Sequence, residues 1–101
     1  MSETVLLIEE GKKLVVKTGV TGPTSYSSPF TITINSLRRV LGVLDARITG
    51  GYHAEPVTYE TGNVVGVKVY YQTGVSGEPL TEVASGFDLS AETIDVVAVG
   101  W

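Results

Sequence analysis

The sequence predicts an all-β fold, a single compact β-sandwich or small barrel of about seven or eight antiparallel strands in one domain spanning residues 1–101. Three observations predict it. The 101 residues include 16 valines, five isoleucines and 12 threonines, and β-branched side chains fit a pleated surface better than a helix because their χ1 is restricted. Glycine, at 12 residues, and proline, at four, are spread along the chain as punctuation between short apolar runs, the pattern of strands separated by turns. Finally, 101 residues can bury one modest core and no second one.

The elements follow in order. Thr4 to Glu10 and Lys13 to Thr18 flank Glu10-Gly11-Lys12, and Gly11 can adopt the positive φ that a hairpin turn needs. Gly19 to Pro29 mixes glycine, proline and Ser/Thr too densely for regular structure and reads as a long loop. Phe30, Ile32 and Ile34 alternate with threonines, which marks a half-buried strand. The next segment carries two signals. Leu37, Val40, Leu41 and Leu44 have helical spacing, so residues 36–47 can be read as a short helix; Gly42, Val40 and Val43 favour a turn at Asn35-Ser36 and a strand from Arg39 to Thr49. The strand is the preferred reading.

Val57 to Thr61 and Val64 to Thr73 surround Gly62-Asn63 and predict a hairpin with a two-residue turn. In its second strand Val65, Val67, Val69 and Tyr71 share one face, assigned to the core, and Tyr70 is expected to pair with Tyr59 across the hairpin. Gly74 to Pro79 is a loop, Leu80 to Ala84 a short strand and Ser85 to Glu92 a turn region. Thr93 to Gly100 closes the fold, with Ile94, Val96 and Ala98 on one face and Asp95, Val97 and Val99 on the other.

The composition narrows function by exclusion. Seven Lys and Arg against eleven Asp and Glu give a net charge of −4, which argues against a nucleic-acid partner, since phosphate contact needs a cationic footprint. Cysteine is absent, which removes disulfides, thiolate chemistry and thiolate-ligated zinc. Met1-Ser2-Glu3-Thr4 lacks a cationic leader and the longest early apolar run is Val5 to Ile8, so neither a secretion signal nor a membrane partner is expected. His53, the one histidine, stands two positions from Glu55 and could pair with it on one strand face, but a surface loop histidine is the cheaper reading. Ser25, Ser27 and Ser28 lack a nucleophile elbow. Asp88, Glu92 and Asp95 lack calcium-loop spacing and read as turn formers. No catalytic residue, metal ligand or cofactor is assigned.

The residues left for recognition are aromatic or lie in the long loop: Pro23, Tyr26 and Pro29 there, and Tyr52, Tyr70 and Trp101 elsewhere. Aromatics give large contact area at low entropic cost. Val40-Leu41-Gly42-Val43, Gly51-Tyr52, Val67-Lys68-Val69-Tyr70, the stretch from Pro79-Leu80-Thr81-Glu82-Val83-Ala84 through Ser85-Gly86-Phe87-Asp88-Leu89-Ser90, and Val97-Ala98-Val99-Gly100-Trp101 together resemble small β-rich virion structural proteins of tailed phages and related archaeal viruses. The resemblance spans about residues 30–101. It implies a non-enzymatic capsid decoration or cement subunit, made in the host cytoplasm and carried on the virion, docked on a capsid protein and assembled as a homo-oligomer, with a trimer favoured. Residues 1–29, the N-terminal hairpin and loop, fall outside the resemblance and are expected to carry the docking contact on a scaffold of residues 30–101. The competing expectation is a carbohydrate-binding or adhesion module using exposed tyrosines.

Overall fold

In the computed structural model, residues 2–8, 10–59, 62–72 and 80–101 are described. Among them are eight strands and no helix: β1 (Ser2–Leu7), β2 (Lys13–Thr21), β3 (Phe30–Thr33), β4 (Val40–Ile48), β5 (His53–Thr58), β6 (Val64–Tyr71), β7 (Thr81–Glu82) and β8 (Thr93–Gly100). They form two antiparallel sheets, β1-β2-β8-β4 and β3-β6-β5, with β7 also paired to β6. The fold is therefore a sandwich of two sheets, the first of the two expected architectures.

The alternation seen in the sequence sets what is buried. Val15, Ile94, Val96 and Ala98 from the first sheet meet Ile32, Val65, Val67 and Val69 from the second, and Ile34, Leu37, Val40, Val83 and Leu89 close the ends. Each β6 residue facing this core is a valine, whose branched side chain fills the narrow space between sheets. Gly66, between two of them, leaves room for Pro29 and the Tyr59 ring, which would lie about 3.1 Å from a Cβ there. Tyr59 thus covers Gly66, and the expected Tyr59–Tyr70 pair does not form, because Tyr70 lies opposite His53 and Glu82.

The helical reading of residues 36–47 is overturned. Val40 to Ile48 is strand, entered through a turn after Ile34 and broken by two register shifts, Val40/Gly42 and Val43/Asp45. Those shifts explain the misleading period: each bulge adds a residue and resets the face, so Leu41 and Leu44 point outward while Val40 and Ala46 remain buried.

The first hairpin turns at Glu10 and Gly11, both at positive φ (51° and 82°). The second differs from expectation. Thr58 pairs with Val65, so its register centres one residue earlier than a Gly62-Asn63 turn would. Glu60 and Thr61, like the expected loop Gly74 to Pro79, lie outside the described residues. Gly62 and Asn63 instead lend their carbonyls to the Val40 and Ile34 amides, at 2.9 and 2.8 Å, which clips this hairpin to the start of β4.

Strand β2 runs on to Thr21 through an irregularity between Lys17 and Val20, with Gly19 at φ 70°. The Gly19 amide donates to Asp95 Oδ1 at 2.9 Å, so an acidic side chain of β8 satisfies the donor that the bulge frees. Asp95→Ala is expected to cost about 1 kcal/mol, read as a lower urea midpoint with an unchanged m-value.

Residues 22–29 then cross between the sheets, and the crossover is pinned. Gly22 and Tyr26 amides donate to Glu92 and Phe87 carbonyls, while the Leu89 and Gly86 amides donate back to Pro23 and Tyr26.

Candidate functional site

The six residues expected to meet a partner do not converge. Tyr26 is a correction: it is 1% exposed, and its hydroxyl donates to Glu82 Oε2 at 2.7 Å and accepts from the Val69 amide at 3.0 Å. β3 reaches along β6 only to Val67 and β7 begins at Tyr70, so the hydroxyl satisfies the β6 amide left between two short strands. Burial and the Glu82 carboxylate push its phenol pKa up, and hydrogen bonds from Ser28 and Tyr26 lower that of Glu82. Pro23 and Pro29 are half-buried on the same crossover, and the Ser28–Pro29 peptide is cis. Thr24, Ser25, Ser27 and Ser28 are what the loop exposes. Tyr70 is half-buried; burial and the neighbouring Glu55 raise its phenol pKa.

Trp101 and Tyr52 lie at opposite ends of β4, and each organises a surface. At the Val40 end, the Trp101 amide donates to the Arg39 carbonyl at 3.0 Å and its own carbonyl accepts from the Arg38 amide at 2.6 Å. The ring stays 40% exposed with Lys12 Nζ 5.5 Å from its centroid, within cation–π range. Lys13 pairs with Gly100, the residue before it. The backbone thus brings four of the seven cationic residues, Lys12, Lys13, Arg38 and Arg39, to the end that holds the indole on its mount, with Lys12 over the ring and the Lys13 ammonium donating to the Ser36 carbonyl at 3.4 Å. Gly100 is needed for that mount, since a Cβ there would collide with the Arg39 carbonyl oxygen.

At the other end a cleft of about 570 Å³ opens among Gly50, Tyr52, His53, Tyr71, Val83 and Phe87. The Tyr52 and Phe87 rings meet edge to face, 6.3 Å apart at 64°. Tyr71 belongs here rather than to the core: it continues the inward face of Val65, Val67 and Val69 but is 39% exposed and lines the cleft. The sequence signal for Tyr71 was its face; its position beyond the core was not visible in it.

Acidic groups weighed for chemistry have structural partners. Asp88 Oδ1 accepts from the Ser90 amide at 2.8 Å, bonding that lowers its pKa. Glu92 Oε2 accepts from Thr49 Oγ1 at 3.1 Å beside Gly50. Among the described residues, no three His, Cys, Asp or Glu side chains gather as cation ligands, and no helix is long and apolar enough to cross a membrane.

One charged pair escaped the sequence reading. Lys17 is 4% exposed and its ammonium lies 3.1 Å from Glu3 Oε2 while donating to the Thr33 carbonyl. Glu3 also accepts from the Asn35 and Ser36 amides at 2.9 and 2.8 Å. Its signal was parity: Lys17 follows Val15 by two positions and so shares the strand face that Val15 buries.

Comparison with protein-family models, with curated proteins and with solved structures finds no match to the chain.

Proposed function

We propose that this protein is a non-enzymatic structural subunit of a virion, a capsid decoration or cement protein that docks on a viral shell. The observation that carries the docking reading is the Trp101 end. An exposed indole on a hydrogen-bonded mount, with Lys12 over its ring and Lys13, Arg38 and Arg39 at the same end of a chain of net charge −4, has the aromatic and arginine composition of interface hot spots. Its partner would be an acidic protein surface with an apolar recess, reached partly by electrostatic steering. The virion assignment itself comes from the resemblance over residues 30–101. Within that stretch, Val83 and Leu89 are core residues and Phe87 and Gly86 hold the crossover loop, while Arg38, Arg39 and Trp101, also within it, supply the docking end.

Co-sedimentation with assembled capsid shells tests the reading. Trp101→Ala is expected to weaken binding at least about tenfold and Arg38→Glu to weaken it further at low salt. Unchanged binding in both variants would reject this docking end. The exposed crossover residues are tested alongside by Ser25→Arg, which leaves the buried Tyr26 in place.

The aromatic cleft favours a second reading, a carbohydrate-binding module. Tyr52, Tyr71 and Phe87 offer ring faces for sugar stacking and His53 lies beside them. A glycan array positive for the native chain and negative for Tyr71→Ala would support it over shell docking.

A further inference from the structure

The two sheets have four lateral edges, and open edges invite pairing with further strands unless something blunts them. Three are blunted. The β4 edge carries two bulges and the charges of Asp45 and Arg47. The β5 edge carries Pro56 and Glu55 and runs close to β4. Along the remaining side of β6, β3 has four residues and β7 two, with the Tyr26 hydroxyl bonded to the amide between them.

β1 has none of these devices. Ser2–Leu7 contains no proline, lysine or arginine and pairs with β2 without a bulge. Its one charge, Glu3, is turned toward Lys17. Val5 is 41%, Leu6 54%, Leu7 77% and Ile8 53% exposed. Because the Ile8 amide donates to the Lys12 carbonyl of the same hairpin, alternation sends the even-numbered backbone groups toward β2 and leaves those of Glu3, Val5 and Leu7 on the free edge.

We infer that β1 is a self-pairing edge, joining two copies of this chain antiparallel about a two-fold axis at Val5 into one continuous sheet. The register follows from bonding. Centring on Val5 pairs Val5 with its copy and Glu3 with the second copy's Leu7, so the free amides and carbonyls of all three residues are used, in about six hydrogen bonds. Centring on Leu6 would instead pair Val5 with the second copy's Leu7 and leave Glu3 without an opposite residue inside β1, so fewer of these groups would be used. In the Val5 register the two Glu3 side chains stand about four residues apart, and each keeps Lys17. Val5 and Leu7 of both copies then share one face of the joined strands, covering side chains that the second sheet does not reach. An isologous contact consumes the edge it uses. Assembly through β1 therefore stops at two copies, where the resemblance implies three.

Sedimentation equilibrium of the full chain, from about 1 to 100 μM, together with amide hydrogen exchange, tests this. The expected result is a monomer–dimer equilibrium, with the Glu3, Val5 and Leu7 amides gaining protection as the dimer fills. Val5→Pro removes the central donor at an edge position that tolerates proline in the monomer, and is expected to raise the dissociation constant about 100-fold. Leu7→Glu sets a carboxylate opposite Glu3 of the second copy and is expected to act in the same direction. Since Leu7 is the most exposed of the four apolar residues, it decides the matter if the proline variant fails to fold. A monomer throughout the range, a trimer, or a dimer indifferent to both variants would overturn the inference. So would edge amides that gain protection only when an extended segment of a different protein is added.

Discussion

Replacing Glu3 with glutamine is expected to destabilise the fold by about 3 kcal/mol, measured by urea unfolding at pH 7. The carboxylate is small and near the start of the chain, yet it joins three elements: Lys17 of β2 and the Asn35 and Ser36 amides ahead of β4. Glutamine leaves the Lys17 ammonium, 4% exposed, with the Thr33 carbonyl alone, and an uncompensated buried charge costs several kcal/mol. One of its two amide-group ends must also face a backbone donor with another donor. The pair itself need not be a net gain: converting Glu3 and Lys17 together to leucine and methionine is expected to recover much of the loss, because burying both charges was costly in the first place.

The same carboxylate sets the acid limit. Burial alone would raise its pKa, but the hydrogen bonds from Ser36, Lys17 and Asn35 outweigh burial and bring it from the ordinary 4.5 to about 2. A folded-state pKa below the unfolded one means that the unfolded chain binds the proton more readily. The contribution is therefore complete above about pH 4.5 and is lost as pH falls toward 2, on the order of 2 kcal/mol after allowance for partial solvent contact. The glutamine variant should lose correspondingly less stability over that window. Parallel acid titrations of the two proteins would contradict the assignment.

Tyr26→Ala is expected to cost about 4 kcal/mol, in the range for truncating a buried aromatic, and Tyr26→Phe about 1.5 kcal/mol. The alanine variant empties the space where the crossover meets the sandwich. The phenylalanine variant keeps the ring but strips the Val69 amide of its acceptor and Glu82 of one of its donors. Thermal unfolding separates the two contributions. In the phenylalanine variant, hydrogen exchange at Val69 should accelerate relative to Val67, which β3 still covers. A tyrosine held for partner contact would show the reverse: near-normal stability in both variants and a loss only in binding.

Most of the architecture was legible because it depends on period and composition. The alternation in Phe30 to Ile34, Val64 to Tyr71 and Thr93 to Gly100 decides which side chains face inward, and Ile94, Val96 and Ala98 are fully buried as their spacing required. Gly11 took the positive φ that its place between two apolar runs called for. β4 was harder to read because two bulges shift its face, so its apolar residues fall at helical intervals while the backbone is extended.

Other features depend on where strands stop relative to one another, which no local pattern records. Tyr71 and Val69 have the same parity, yet one lines a cleft and the other is sealed in the core. Tyr26 sits in a loop of turn-forming residues and is buried, because β3 and β7 leave a gap on β6 wide enough for one hydroxyl. The cationic residues at the Trp101 end come from the β1–β2 hairpin and from the turn before β4, segments more than sixty residues earlier that β8 brings together by pairing with both β2 and β4. The amino-acid sequence by itself determined the all-β class and the inward face of the strands that alternate without a bulge, since both follow from side-chain shape and a two-residue period. The tertiary structure alone decided strand order, the ends of each sheet and hence which aromatics and charges meet, because these depend on long-range pairing whose energy is spread over the whole sheet.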